Sequence, residues 1–360
     1  MPMSKFSAIL SFSLATLLAF TLQIFIFSPI SPVPLQIPAA VSSTFPPTSY
    51  DLQRVVKLGE GLLEKPEDVC FDKEGMLYTA TRDGWIKRMH KNGSWEDWKR
   101  IGGDALLGIT PTITGGVLVC DAEKGLFKVS DDGITLVASH VNGSKIRYAD
   151  DVIEASDGTV YFSVASTKYG LQDTDLDLLE ARPHGQLLKY DPISQETSIL
   201  IDGLLFANGV ALSKDEDFLV VCETWRCRCK KHWLKGKNKG ETEVFVDNLP
   251  GGPDNINLAP DGSFWIALVK LTSDGLEFIH TSTTLKRLFA SYPSLFPNFT
   301  GMNKKATAVN VAADGRIIRK LDDPNGTVIS FVTSALEYED HLYLGNLNTN
   351  FVGKLALKKE

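Results

Sequence analysis

Apolar and polar side chains alternate in short bursts along this chain, and most bursts break at Gly, Asn or Asp. Six of them share one form, in which an apolar stretch meets a polar turn and then a pair of apolar or aromatic residues. They are "DVCFDKEGMLYTAT" from Asp68, "TPTITGGVLVCDA" from Thr110, "DVIEASDGTVYFSVAS" from Asp151, "GVALSKDEDFLVVCET" from Gly209, "NINLAPDGSFWIAL" from Asn255 and "ALEYEDHLYLGNL" from Ala335. A period of two predicts strands, and an Asp-Gly or Gly-Gly between two such runs predicts a tight hairpin that needs positive φ. Measured between Leu77, Leu118, Val160, Leu219, Phe264 and Leu342, the repeats are 41, 42, 59, 45 and 78 residues apart. Three of these steps match the ~40–50-residue period of propeller blades.

The two long steps require insertions. One is "TKYGLQDTDLDLLEARPHG", with a short helix expected around Asp175 to Glu180. The other holds "TSTTLKRLFASYPSLFPNFT", where Leu285, Leu288, Phe289 and Tyr292 recur at helical spacing until Pro293 stops them. The pattern predicts an all-β, six-bladed β-propeller with a short helical insertion. Radial blades remove exposed sheet edges by closing into a ring. Closure needs a strand from the far end, and "YDLQRVVKL" (Tyr50 to Leu58) and "NFVGKLAL" (Asn350 to Leu357) both alternate, so they are expected in one blade. Residues 50–360 are therefore read as one domain.

Ahead of it, Lys5 is followed by an uncharged run from Phe6 to Phe27, close to the ~20 residues that span a bilayer and longer than most signal-peptide cores. Residues 1–28 are read as a signal peptide or signal-anchor helix, and 29–49 as a Pro/Ser-rich stalk without a fold of its own. Either reading sends the propeller to the secretory pathway: the lumen of the endoplasmic reticulum or vacuole, or the extracellular side, with the membrane as partner if the segment is retained. The sequons at Asn92, Asn142, Asn298 and Asn325 fit N-glycosylation there. In an oxidising lumen a bridge from Cys222 to Cys227 or Cys229 is available, and Cys70 and Cys120 are expected as buried thiols. A net charge of −7 argues against nucleic acid as a partner, and the one basic run, Arg226 to Gly240, is expected as a solvated hairpin loop. The molecule is expected to act as a monomer on a small hydrophobic substrate.

Candidate chemistry follows from the phase of the repeats. Glu67, Asp150 and Asp254 each stand ten residues before their blade's Leu77, Val160 or Phe264, and Asn208 stands eleven before Leu219. In equivalent strands around an axis these side chains arrive at one height. A set of oxygen ligands without His or Cys suggests Ca2+ at a channel mouth. Asp and Asn also cap turns and tie neighbouring blades together, so a polar capping cluster is the other reading.

The segments "KPEDVCFD", "YADDVIEASDGTVYFSVASTKYGL", "RPHGQLLKYDP", "LLFANGVALSKDEDFLVVCETW" and "LPGGPDNINLAPDGSFWIAL" resemble the strictosidine synthase-like family of plants, whose relatives include adipocyte plasma membrane-associated protein and, further off, paraoxonases and gluconolactonases. The resemblance implies a six-bladed propeller and two chemistries. One is a Pictet–Spengler condensation that uses a glutamate on the last blade, where this chain reads Phe331-Val332-Thr333-Ser334-Ala335 without a carboxylate. The other is calcium-dependent hydrolysis of esters, lactones or phosphotriesters. For that chemistry the resemblance assigns Glu67, Asn208 and the pair Asp254-Asn255 as metal ligands, with Asp150 where an asparagine is usual. Asp254 is the candidate base and His184 the candidate proton shuttle over the mouth.

Overall fold

The computed structural model describes residues 5–37, 46–271, 277–296 and 304–357. Six four-stranded antiparallel sheets form the blades of a propeller. Their innermost strands are Asp68–Phe71, Leu106–Pro111, Ala149–Glu154, Ala207–Leu212, Gly252–Leu258 and Val332–Tyr338. All six repeat pairs lie on the second strand of a blade, and several of these strands, such as Val117–Asp121 and Phe264–Val269, are buried along their whole length. That burial follows from the architecture, because each second strand is covered on both faces by neighbouring blades. Each large apolar side chain so enclosed contributes about 1.5–3 kcal/mol. Trp265, Ala267, Ala308 and Leu321 of the fifth blade, for example, pack in one cluster with Val332, Ala335, Leu342 and Leu344 of the sixth.

Closure takes place where the alternation predicts it, with Val56–Leu58 pairing antiparallel to Val352–Ala356. The closing strand is shorter than expected, because Asp51–Arg54 forms a 3-10 turn instead. Leu52 and Val55 both enter the cluster between blades five and six, and a three-residue spacing puts both on one side only if the chain turns helically.

Both insertions connect the second and third strands of their blades. The first carries α2 (Thr174–Glu180) and the second α3 (Glu277–Thr281) and α4 (Thr283–Ser291); the uncharged N-terminal run forms α1 (Lys5–Phe25). Ser282 caps α4 by accepting a hydrogen bond from the Leu285 N–H at 3.3 Å, and Pro293 follows its end. The buried face of α4 differs from the expected apolar stripe. Its two buried residues are Lys286 and Ala290, one turn apart, whereas Leu285, Leu288 and Phe289 are half-buried.

Lys286 is buried because of the segment read as a stalk. Residues 28–37 do not hang free but lie across the helical insertions as a strap. Ser31 N donates to Glu180 Oε1 at 2.7 Å, Val33 N to the Glu180 carbonyl, Leu35 N to the His280 carbonyl, and Lys286 Nζ to the Val33 carbonyl at 2.8 Å. The prolines between them forgo N–H groups that have no sheet to join. Residues 38–45 lie outside the described residues.

Cys222 and Cys229 face each other across adjacent strands of the fourth blade and form the disulfide, while Cys70, Cys120 and Cys227 are buried thiols. Six of the fifteen residues of the basic run are strand rather than loop. Arg228–Trp233 is the third strand of that blade, with Arg228 paired to Glu223 and Lys231 to Glu243. Asn92, Asn142 and Asn325 are exposed, and Asn298 lies outside the described residues.

Candidate functional site: a polar cavity on the propeller axis

The innermost strands of blades two, three, four and five share a defect. Their pairing breaks between Leu106 and Ile109, Ala149 and Val152, Ala207 and Val210, and Pro253 and Ile256. Each break leaves two residues out of register: Leu107-Gly108, Asp150-Asp151, Asn208-Gly209 and Asp254-Asn255. A bulge turns the strand and re-aims its side chains. The first residue of each pair lines a cavity of about 290 Å³ at the axis, and Glu67, just ahead of the first blade's inner strand, joins them. The sixth blade supplies Thr333 at this level, whose hydroxyl donates to the Glu67 carbonyl at 2.6 Å.

The second residue of three of these pairs, Gly108, Asp151 and Gly209, lies against the next blade. Asp151 accepts from Val152 N and from Val210 N of the next blade, both at 2.7 Å, and Asp68 does the same with Val69 N and Ile109 N. Where the second residue is glycine, backbone replaces the carboxylate. A Cβ on Gly209 would lie 2.4 Å from the Asp254 carbonyl.

Glu67, Asp150, Asn208 and Asp254 therefore meet around one cavity. Asn255 reaches the same cluster from the side, donating from Nδ2 to Glu67 Oε1 at 2.9 Å, and Asn208 hydrogen-bonds Asp254. Burial, followed by the charges of Asp254 and its neighbours, holds the Glu67 carboxyl well above the usual range. Burial and then Asp254 do the same to Asp150, and burial brings Asp254 up to about 7. Arg82 at the rim partly offsets the charge on Asp150.

Three buried oxygens in the cluster, Glu67 Oε2, Asn208 Oδ1 and Asn255 Oδ1, have no hydrogen-bond partner among the described residues. Buried polar atoms are seldom left so. Among the described residues, no three His, Cys, Asp or Glu side chains are drawn together tightly enough to hold a metal unaided. The cluster differs in being part amide, and carboxylate plus amide oxygens are the donors a hard cation takes. On donor type and on the unpaired atoms the residues fit calcium.

His184 is not where its expected role requires. It does not line the cavity; its Nε2 lies 2.9 Å from Glu180 Oε2, beside Lys168 and Tyr169 on the same carboxylate. Burial tends to raise Glu180, but these donors and Ser31 N outweigh it and hold the carboxyl down to about 2. The His184 end of the insertion folds inward onto its own acid, while Leu171, Gln172, Thr174 and Asp175 at its start line the cavity.

The walls escaped the sequence reading. Lys65, Tyr148, Phe206 and Phe331 line the cavity, and each stands two residues before the axis-facing residue of its blade: Glu67, Asp150, Asn208 and Thr333. All four adopt left-handed φ, from 48° to 63°. A side chain pays about 1–2 kcal/mol for this conformation, and here it swings the residue over the axis. The usable signal was an aromatic two positions before the repeating oxygen. Trp225 completes the wall, its Nε1 donating to Asp177 Oδ1 at 2.8 Å.

Residues 49–89 match the family model for the strictosidine synthase-like N-terminal region and residues 150–237 that for strictosidine synthase. Strictosidine synthase-like 4 of Arabidopsis thaliana is 34% identical over 310 residues, covering 84% of this chain and 82% of that protein. The chain belongs to the strictosidine synthase-like family. Another family member, strictosidine synthase-like 7 of the same plant, is 37% identical over 84% of this chain and 81% of that protein. Adipocyte plasma membrane-associated protein of Mus musculus is 31% identical over 85% and 79%. Among solved structures, a gluconolactonase of Xanthomonas campestris superposes with a TM-score of 0.61 at 14% identity over 92% of this chain and 97% of its own. The calcium-binding protein regucalcin of Agrobacterium tumefaciens superposes with 0.55 at 14% over 84% and 91%. At such identity these two show the shared fold. The matched family segments contain Glu67, Asp150 and Asn208, while Asp254 and Asn255 lie beyond them.

Proposed function

We propose that this strictosidine synthase-like chain is a calcium-dependent hydrolase of small hydrophobic esters, lactones or phosphotriesters. The observation that carries the reading is the set of buried, unpartnered oxygens on Glu67 and Asn208, gathered with the raised carboxyls of Asp150 and Asp254 around one axial cavity, with the unpartnered oxygen of Asn255 on a side chain bonded to Glu67. Gluconolactonase and regucalcin, named for lactone hydrolysis and calcium binding on the same fold, support it.

Glu67, Asn208, Asp254 and Asn255 would hold the ion, which when bound supplies positive charge toward a carbonyl or phosphoryl oxygen. Asp150 and Asp254 stand on the cavity wall as proton acceptors for an attacking water. With the ion bound, its positive charge would favour the ionised form of these buried carboxylates, so either side chain can accept a proton from the attacking water. Tyr148, Phe206 and Trp225 present aromatic faces to the apolar part of a substrate and exclude water around it.

The condensation chemistry finds less support. At the axis-facing level of the last blade stands Thr333, committed to the Glu67 carbonyl, and nearby Glu337 accepts from Trp265 Nε1 at 2.7 Å. Neither supplies a carboxylate to the cavity.

The test is turnover of an aryl-ester and lactone panel with and without chelator. Chelation is expected to abolish hydrolysis and calcium to restore it, while Asp254→Asn lowers kcat/KM about 10²–10⁴-fold. Hydrolysis that survives exhaustive chelation overturns the calcium reading.

A further inference from the structure

We infer that the cavity mouth is held against the bilayer in which α1 sits. The connectivity of the chain points there whether or not the cavity is hydrolytic. Helix α1 is 21 residues long, and its most apolar 18-residue stretch has a mean hydropathy of 2.0 and is almost entirely unburied. At 1.5 Å per residue it is about 31 Å long, the depth of a hydrocarbon core, and none of the described residues covers Phe6, Phe12, Leu17 or Leu18. The partner chemistry that fits such a helix is lipid.

A long stalk would leave the propeller free to tumble at the end of such an anchor. The strap removes that freedom. From Phe27, the last residue of the apolar run, to Ser31, pinned on Glu180, there are four residues, which span at most about 14 Å. Glu180 ends α2, and the first turn of α2, with Thr174 and Asp175, lines the cavity mouth. A second path is shorter. Phe20 of α1 stacks on Tyr292 with ring centroids 5.7 Å apart, and Arg287 Nη1 reaches the Phe25 carbonyl at 3.5 Å. Next to Tyr292, Pro293 and Phe289 of the second insertion border an apolar cleft of about 170 Å³ whose other wall includes Gln172 and Asp175, both also at the mouth. Exposed Phe278 and Leu295 lie on the same insertion. Anchor, strap, cap and mouth thus form one connected end of the molecule, and the cleft joins the lipid-facing cap to the axial cavity.

The test uses the full chain in phosphatidylcholine nanodiscs, with an environment-sensitive fluorophore on Phe278→Cys at the cap, Gln172→Cys at the mouth or Ile193→Cys in the exposed turn between the outer strands of blade three. The native thiols, Cys70, Cys120 and Cys227, are buried and stay unlabelled in folded protein. Lipid-borne nitroxide is expected to quench positions 278 and 172 strongly and to leave 193 unchanged. Equal quenching at all three, quenching of 193 alone, or none at 278 and 172 overturns the inference. A mature chain that begins after Phe27 overturns it as well. Should Gln172→Cys fold poorly, Phe278→Cys carries the same readout. Placing about 20 Gly/Ser residues after Phe27 together with Glu180→Ala lengthens and unpins the strap, so quenching at 278 should fall to the level of 193; quenching that persists overturns the role given to the strap.

Discussion

Adjacent acids meet opposite fates. Asp151 and Asp68 accept backbone N–H bonds from their own strand and from the next blade, so their oxygens are spent on holding the ring together. Asp150 and Glu67, one residue earlier, turn to the axis, where Glu67 keeps an oxygen with no partner. Both pairs are buried, and burial raises all four carboxyls above their ordinary range. Burial alone therefore does not mark function. The distinction lies in where the hydrogen bonds go: each carboxylate oxygen of Asp151 and Asp68 accepts a backbone N–H, whereas Glu67 Oε2 accepts none.

Substitutions should separate the two rings. The largest effect is expected on catalysis, where Glu67→Gln or Asp254→Asn should cost hydrolysis about 10²-fold or more while leaving thermal unfolding of chelated protein unchanged or raised. Next, Asp151→Ala should destabilise the fold by about 2–4 kcal/mol, since it strands the buried Val152 and Val210 N–H groups; a melting temperature equal to the parent's would show that the inter-blade bonds contribute nothing. Gly209→Ala drives a methyl into the Asp254 carbonyl and should cost about 1–3 kcal/mol by forcing the fourth and fifth blades apart. The smallest structural effect is expected from Ser282→Ala, which removes the α4 cap at about 1 kcal/mol.

Acidity sharpens the same contrast. In the chelated protein the folded state retains protons on Asp254 up to about pH 7, and on Glu67 and Asp150 beyond their ordinary range, while the unfolded chain loses them near pH 4. The folded state then binds more protons between about pH 4 and 7, so its stability falls as pH rises through that window. Calcium should flatten the slope, and chemical denaturation at pH 5 and 7 with and without the ion reads it directly.

The floor of the site was legible because propeller repeats convert sequence phase into common height, which is why Glu67, Asp150, Asn208 and Asp254 emerged before any coordinates. The walls were not, since a left-handed Tyr148 or Phe206 carries no local mark; only the repeated two-residue offset from the oxygen betrays it. His184 was misplaced because the insertion's own Glu180 competes for it. The strap was missed because a Pro-rich stretch reads as chain that cannot pack, yet buried Ile30 and Leu35 find apolar seats and Ser31 finds an acid. The strap's own partners, Glu180 for Ser31 and Lys286 for Val33, lie far away in sequence, where periodicity is silent.

The most direct test of the central claim is calorimetric titration of calcium into chelator-treated protein. The account predicts saturable binding in the parent chain, lost in Asn208→Ala and Asp254→Asn and preserved in Asp151→Asn. A parent chain that takes up no calcium, or binding indifferent to Asn208 and Asp254, would contradict it.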